Sequence, residues 1–131
     1  MNRFKLEFWL KPIPKQRPRF DPRSGRAYSP DKTRAFEQHI AILCRSQMAL
    51  GENEILRDDV GLDVTFYRLN HGRADIDNLL KSLLDGLDNG GLYQDDQQVI
   101  DVHARIEYGA RREGIVIWVT DLGDFDETQK R

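Results

Sequence analysis

The chain has 131 residues, of which 39% are hydrophobic and 32% charged, and its formal net charge is −2. This length predicts one domain spanning residues 1–131, and no run of about 18 apolar residues indicates a transmembrane helix. The N-terminus lacks a signal-peptide pattern, and the single cysteine, Cys44, excludes an internal disulfide. The sequence therefore predicts a cytoplasmic protein that does not associate with membranes.

The charges are distributed unevenly along the chain. Residues 1–50 carry eleven Lys/Arg and four Asp/Glu, whereas residues 51–131 carry nine and eighteen. Mutual neutralisation of a basic and an acidic segment is one explanation of this asymmetry. A polyanion-binding surface beside an acidic metal site is the other, and composition leaves both open.

The first half of the chain predicts a strand, a loop and a helix. Residues 3–10 alternate apolar and polar side chains, as in a half-buried strand. Residues 11–30 are rich in proline and arginine and predict an extended basic loop. A helix is predicted next, with Ser29 as its N-cap, Pro30 as its first residue and Gly51 as its end. Its apolar positions are Phe36, Ile40, Leu43 and Leu50.

The second half predicts three more strands, at residues 59–69, 99–108 and 114–122. The first two of these alternate apolar and polar residues, and the last is almost continuously apolar. The segment of residues 123–131 is polar and predicts a solvated tail.

A second helix is predicted at about residues 78–88, with Asp77 as N-cap and Gly90 or Gly91 as the C-terminal stop. The helix has an apolar stripe on one face. The stripe consists of Ile76, Leu80, Leu83, Leu84 and Leu87.

Residues 74–96 place six aspartates around a single lysine, Lys81. These aspartates are Asp75, Asp77, Asp85, Asp88, Asp95 and Asp96. Residues four apart share a helix face, so Asp77, Lys81 and Asp85 line up opposite the apolar stripe. A solvated polar face, with Lys81 and Asp85 as a surface ion pair, is the plain explanation. The carboxylates at the strand-to-helix junction and just past the helix nevertheless exceed what helix capping requires.

Carboxylate oxygens without clustered His or Cys suit a hard cation such as Mg2+, for which Mn2+ can substitute, whereas zinc prefers nitrogen and sulfur ligands. Mg2+ bound by few carboxylates completes its shell with water and substrate phosphate oxygens. A lysine on the same face can then neutralise charge on a phosphoryl transition state or orient the attacking water.

Basic residues could bind those phosphates of a polyanion that lie outside the acidic metal site. Lys15, Arg17 and Arg19 alternate, so an extended backbone would point all three the same way. Arg73 flanks the acidic stretch. We predict phosphate contact by these four residues, although a solvated basic loop is the alternative.

The segment DIDNLLKSLLDGLDNGGLYQDDQQV, which starts at Asp75, resembles the RusA-type crossover-junction endodeoxyribonucleases. That family has an Asp-x-Asp-Asn-Leu-x-Lys segment followed by Leu-Asp and then by Asp-Asp. The stretches PKQRPRF and GRAYSPDKT are similar to the N-terminal pattern of the same family. The resemblance covers most of the chain.

The resemblance implies an α+β fold in one small domain, with a mixed sheet of about four strands packed with two main helices. It also implies a homodimer and Mg2+-dependent cleavage of branched DNA, above all of four-way Holliday junctions, by paired symmetric nicks in recombination and repair. The essential carboxylates of the family fall on Asp75, Asp77 and Asp96, and its catalytic lysine on Lys81. Asp95 is a further candidate metal ligand.

Two other functions stay open at this stage. A less selective metal-dependent nuclease that acts on flap or branched DNA shares every motif and differs only in substrate preference. A non-catalytic DNA-binding protein would bind DNA without any cleavage.

Overall fold

The computed structural model describes residues 2–16, 19–28, 31–72 and 74–123, apart from the side chains of residues 19–21 and 26–28. The strands are β1 (Asn2–Phe8), β2 (Arg19–Asp21), β3 (Arg26–Tyr28), β4 (Val60–Arg68), β5 (Val99–Tyr108) and β6 (Gly114–Asp121). The α-helices are α1 (Asp31–Leu50) and α2 (Ile76–Asn89), and a 3-10 turn (Asp96–Gln98) precedes β5. No helix among the described residues is long and apolar enough to cross a bilayer.

Four strands form a mixed sheet in the order β1-β6-β4-β5. The β1/β6 and β6/β4 pairs are antiparallel, whereas β4 and β5 are parallel. Parallel neighbours need a crossover connection, and α2 supplies it here. The predicted fold class, an α+β domain with a mixed four-stranded sheet and two helices, is confirmed. The crossover also places the start of α2 just beyond the C-terminal end of β4.

Both helices pack on one face of this sheet. The side chains that β4 turns to this face, from Val60 to Phe66 at every second position, are buried. They meet apolar side chains from the two helices, which are Phe36, Ile40, Cys44 and Met48 of α1 and Leu79, Leu83 and Leu87 of α2. Burial of this apolar surface is the main driving force for folding.

The buried stripe of α1 differs from the predicted one. Leu50 is 83% exposed and Leu43 is 37% exposed, so the prediction that they join the core was wrong. Ala41 next to Ile40 is buried, and the larger core side chains that follow are Cys44 and Met48, at intervals of four. The prediction failed because the apolar character of a leucine does not show whether its side chain is covered. The position of the packing partner determines which helix face is buried. Burial raises the pKa of the Cys44 thiol to about 12, as expected for a structural thiol.

The segment predicted as an extended basic loop contains the antiparallel hairpin β2/β3, so that prediction was incomplete. Residues 22–25 form its turn, and Gly25 has a left-handed φ of 71°. Each strand is only three residues long, which is too short for an alternating pattern to appear. The predicted cap of α1, Ser29 and Pro30, lies outside the described residues.

Helix α2 begins two residues before its predicted start. Asp75, not Asp77, is the N-cap, with φ −78° and ψ 127°, and its carbonyl accepts the first helical hydrogen bond from Leu79 N at 3.0 Å. Gly90 is the C-cap, as one of the two predicted stops. The early start puts Asp77 inside the first turn.

Helices α1 and α2 approach each other closely at Gly86. A Cβ atom at this position would lie 2.7 Å from Ile40 Cβ and 3.2 Å from the Glu37 carbonyl oxygen. Real Cβ atoms do not tolerate the first distance, because interiors are already close-packed. Only glycine at position 86 therefore permits this separation of the helices.

We expect Gly86→Ala to lower the free energy of unfolding by about 1–3 kcal/mol through overpacking, although alanine normally favours a helix over glycine by about 1 kcal/mol. Urea denaturation followed by circular dichroism measures this change. Asn89→Ala, at an exposed position of the same helix, is the control and should change stability by less than about 0.5 kcal/mol. A Gly86→Ala protein as stable as the native one would contradict the packing argument.

Candidate active site

Asp75 and Asp77, which we call the helix-start pair, lie exposed where β4 leads into α2. The Asp75 side chain makes no capping hydrogen bond to α2. Its negative charge and that of Asp77 are placed at the positive end of the helix dipole, which favours ionised carboxylates. The pair is therefore available to a ligand outside the protein.

Asn78 contacts both members of the helix-start pair. Its backbone N–H donates to Asp77 Oδ1 at 3.0 Å, and its side-chain amide donates to Asp75 Oδ2 at 3.4 Å. In the structure its side chain reaches back to the N-cap carboxylate and helps to orient it.

Lys81 lies one turn after Asp77 and is exposed. Within the described part of the chain its ammonium forms no ion pair. The partner expected from the four-residue spacing, Asp85, binds Lys15 instead, with Nζ 2.9 Å from Oδ2. The surface ion pair between Lys81 and Asp85, which was the plain explanation of this helix face, is not formed.

Lys15 lies between two carboxylates. Its ammonium is 2.8 Å from Glu37 Oε2 of α1 as well as 2.9 Å from Asp85 Oδ2 of α2. Burial alone would lower the pKa of Lys15, but hydrogen bonds to Glu37 and then to Asp85 outweigh it and the pKa is raised. Sequence reasoning assigned no role to Glu37, because its partner is 22 residues away on another element.

Of the other residues predicted to contact DNA, the structure describes only the backbone of Arg19. Arg17 and Arg73 lie outside the described residues. Arg19 belongs to β2, and its side chain is not among those described. Arg68, which the sequence places just before the acidic segment, ends β4, and among the described residues its buried Nε and Nη1 atoms have no hydrogen-bond partner.

Asp85, Asp88, Asp95 and Asp96 form a second cluster, the distal acidic group, near the C-terminal half of α2. Burial raises the pKa of Asp88, and the charges of Asp96, Asp95 and Asp85 raise it further. A hydrogen bond with Asp95, slight desolvation and the charges of Asp95 and Asp85 raise the pKa of Asp96. These carboxylates repel one another, so a cation near them would be stabilising.

Gln98 fixes the turn that carries Asp95 and Asp96. Its Oε1 accepts from Asp95 N at 2.9 Å, and its Nε2 donates to the carbonyls of Leu56 and Asp58 at 2.9 Å each. The Asp95 carboxylate in turn accepts from Gln97 N. A glutamine beside two aspartates carries no distinctive signal in a single sequence, so this anchor was missed.

The predicted carboxylates thus belong to the helix-start pair and the distal acidic group. Among the described side chains, no three carboxylates, histidines or cysteines lie close enough to share a metal ion. Asp77 and Asp85 are eight helical residues apart, about 12 Å along the axis. The donor chemistry of the helix-start pair fits Mg2+, because this ion needs only one or two carboxylates besides water and phosphate oxygens.

A groove of about 640 Å³ lies between the C-terminal ends of the two helices. It borders Asp88, Arg45 and Tyr93 and includes neither the helix-start pair nor Lys81. An extended polyanion binds across a surface and needs no enclosed cavity, so the groove does not compete with the exposed face of α2 as the candidate site.

The chain belongs to the RusA endodeoxyribonuclease family, because the model of that family matches most of its length. The family model for endodeoxyribonuclease RusA matches residues 10–120. The chain is also similar to the crossover junction endodeoxyribonuclease RusA of Aquifex aeolicus (strain VF5), with 28% identity over 116 residues that cover 86% of this chain and 88% of that protein. The resemblance found in the sequence is confirmed.

The raised pKa of Asp88 predicts that its ionised form destabilises the native state. A carboxyl whose pKa is higher in the native than in the unfolded state binds more protons there, so stability falls as pH rises through that pKa. We expect Asp88→Asn to raise the melting temperature by about 1–3 °C at pH 7. The gain should shrink as the pH is lowered towards 4.

Differential scanning calorimetry between pH 4 and pH 7 measures this effect. Glu107→Gln removes the same charge at an exposed position of β5 and serves as the control. An Asp88→Asn gain that does not depend on pH, or one matched by Glu107→Gln, would contradict repulsion within the distal acidic group.

Proposed function

We propose that this protein is a Mg2+-dependent, structure-specific endodeoxyribonuclease that resolves Holliday junctions by paired symmetric nicks. The observation that carries the proposal is the exposed helix-start pair, with Lys81 one turn further along the same helix face and in no ion pair with any described residue. Membership of the RusA family and the name of the Aquifex relative support the same activity.

Asp75 and Asp77 are the residues we propose as the first metal ligands, since both are exposed carboxylates at a helix N-terminus. From the resemblance to the family we propose Asp96, with Asp95 as an additional candidate, as a ligand of a second Mg2+ at the distal acidic group, because this group is separate from the helix-start pair. When bound, Mg2+ lowers the pKa of a coordinated water and polarises the scissile phosphate, and Mn2+ would serve in the same way.

The residues of the chain itself contribute positioning and charge. Asn78 donates to both Asp75 and Asp77 and keeps their oxygens oriented. The Lys81 ammonium stabilises the negative charge that develops on the phosphoryl oxygens as water attacks phosphorus. The bond from phosphorus to the 3′ oxygen then breaks, which leaves a 5′-phosphate and a 3′-hydroxyl.

We propose that Arg17, Arg19 and Arg73 contact DNA phosphates. Contacts of this kind are largely independent of base sequence and sensitive to salt.

A homodimer is part of the proposal, because two sites on opposite sides of a four-way junction would make paired nicks. Recombination and repair are the processes that produce such junctions. We also propose that the protein acts in the cytoplasm, where its one cysteine remains a free, buried thiol.

Cleavage assays on matched DNAs test the proposal. The purified protein is incubated with a labelled four-way junction, a flap and a linear duplex, in Mg2+, Mn2+ or EDTA, and the nicks are mapped on each strand. We expect symmetric nicks that depend on the divalent ion and are confined to the junction.

Equal cleavage of all three DNAs would identify a less selective metal-dependent nuclease. Salt-dependent binding without nicks in either metal would identify a non-catalytic DNA-binding protein. Light scattering of the free protein measures the oligomeric state independently, and a monomer at assay concentrations would contradict the dimer.

Asp77→Asn should reduce junction cleavage by at least about 1,000-fold, because it removes a metal ligand. Junction binding in EDTA should be retained or tighter, because one carboxylate that repels phosphate is lost. Single-turnover cleavage and electrophoretic mobility shifts measure the two effects. Asp63→Asn, on β4 away from the acidic segment, is the matched control, and full activity of Asp77→Asn would refute the assigned site.

A further inference from the structure

Lys81 and Asp85 have the spacing at which a helix normally forms an ion pair between neighbouring turns. Such a pair would draw the Lys81 ammonium along the helix and away from a phosphate bound near the helix-start pair. In the structure Asp85 binds Lys15 instead. The Lys81 ammonium makes no ion pair with any residue that the structure describes.

Lys15 reaches Asp85 because its backbone is fixed to α2. Lys15 N donates to the Asn78 carbonyl at 2.8 Å, and Ser82 Oγ donates to the Ile13 carbonyl at 2.5 Å. The Lys15 side chain is only 19% exposed, and the Glu37 carboxylate holds its ammonium from the other side at 2.8 Å. This lysine is therefore held in a fixed position where α1, α2 and the N-terminal segment pack together.

We propose that Lys15 is a positioning residue that occupies Asp85 and thereby keeps Lys81 available to the substrate. The proposal rests on the function proposed above, in which Lys81 stabilises charge on the scissile phosphate. It gives Lys15 a role that acts through another residue, whereas the sequence pattern predicted direct phosphate contact.

The charges around Asp85 explain why the pair matters. Asp85 and Glu37 both lie within 2.9 Å of one nitrogen, so their carboxylates are less than about 6 Å apart. Without the Lys15 ammonium they would repel each other and attract another cation. Lys81 is the cationic side chain one turn away on the same helix, so it would turn towards Asp85.

Direct phosphate contact by Lys15 is disfavoured by the same geometry. A DNA phosphate would have to replace one of two carboxylates that already contact the ammonium. Two negative partners also offset the single positive charge of Lys15, so little attraction for a polyanion remains at this position. Neutralising Lys15 should then leave the salt dependence of DNA binding unchanged.

A double-mutant cycle tests the proposal. Lys15→Met, Asp85→Asn and the double variant are compared with native protein in junction cleavage with Mg2+. We expect Lys15→Met to lower kcat about tenfold, because Asp85 captures Lys81, and to change KM by less than about twofold. In the Asp85→Asn background the same substitution should lower kcat less than about threefold. Lys15→Arg, which keeps the cation, should restore most of the native kcat.

Three results would overturn the inference. An equal loss of kcat in both backgrounds would show that Lys15 does not act through Asp85. A decrease of about one in the salt slope of junction binding in EDTA would show that Lys15 contacts phosphate. Loss of kcat in Lys15→Arg equal to that in Lys15→Met would show that the cation is not what matters.

Two controls keep the experiment decisive. Melting temperatures establish that each variant is folded, and Lys15→Gln, which retains a hydrogen-bond donor, replaces Lys15→Met if the latter unfolds. Absence of cleavage by the native protein would refute the proposed function itself. Native cleavage without coupling between positions 15 and 85 would refute only the role of Lys15.

Discussion

The close approach of α1 and α2 determines how the core packs and which side chains remain exposed. Gly86 has no Cβ, and one placed there would lie 2.7 Å from Ile40 Cβ. With the helices at this separation, the apolar side of α2 faces the sheet. Its acidic side, which carries Lys81, necessarily faces outwards. One packing contact thereby sets the core and also decides which helix face meets solvent or DNA.

The crossover topology completes the arrangement of charges. Because α2 connects the parallel strands β4 and β5, the helix-start pair lies beyond the end of β4 and the distal acidic group lies near the other end of the helix. Carboxylates that are close in sequence are therefore separated along the axis of α2. The N-terminal segment crosses between the helices, and its Lys15 bridges Glu37 and Asp85. The basic and acidic parts of the chain meet there as specific ion pairs.

Agreement between sequence and structure was best where one local pattern was long enough to be decisive. Strands β1, β4, β5 and β6 and both helices were predicted, because each extends over several periods of its hydrophobic repeat. The β2/β3 hairpin was missed, since strands of three residues show no period. Leu50 was placed in the core wrongly, because the covered face of α1 depends on the position of α2. The predicted start of α2 was two residues too late, because the sequence does not show whether Asp75 or Asp77 is the N-cap.

The family, most of the secondary-structure elements and the identity of the candidate carboxylates could be predicted from the sequence, since these follow from residue types at short spacings. The pairing of the charges, in contrast, depends on the packing of elements that are distant in sequence. Lys15, Glu37 and Asp85 come from a loop and two helices, and Lys81 lacks an ion-pair partner among the described residues because Asp85 already has one. Short-range spacing favoured a Lys81–Asp85 pair, but a lysine 70 residues away reached Asp85 through the packing of the helices. Electrostatic pairing depends on distances in space, and those are fixed only when the core is packed.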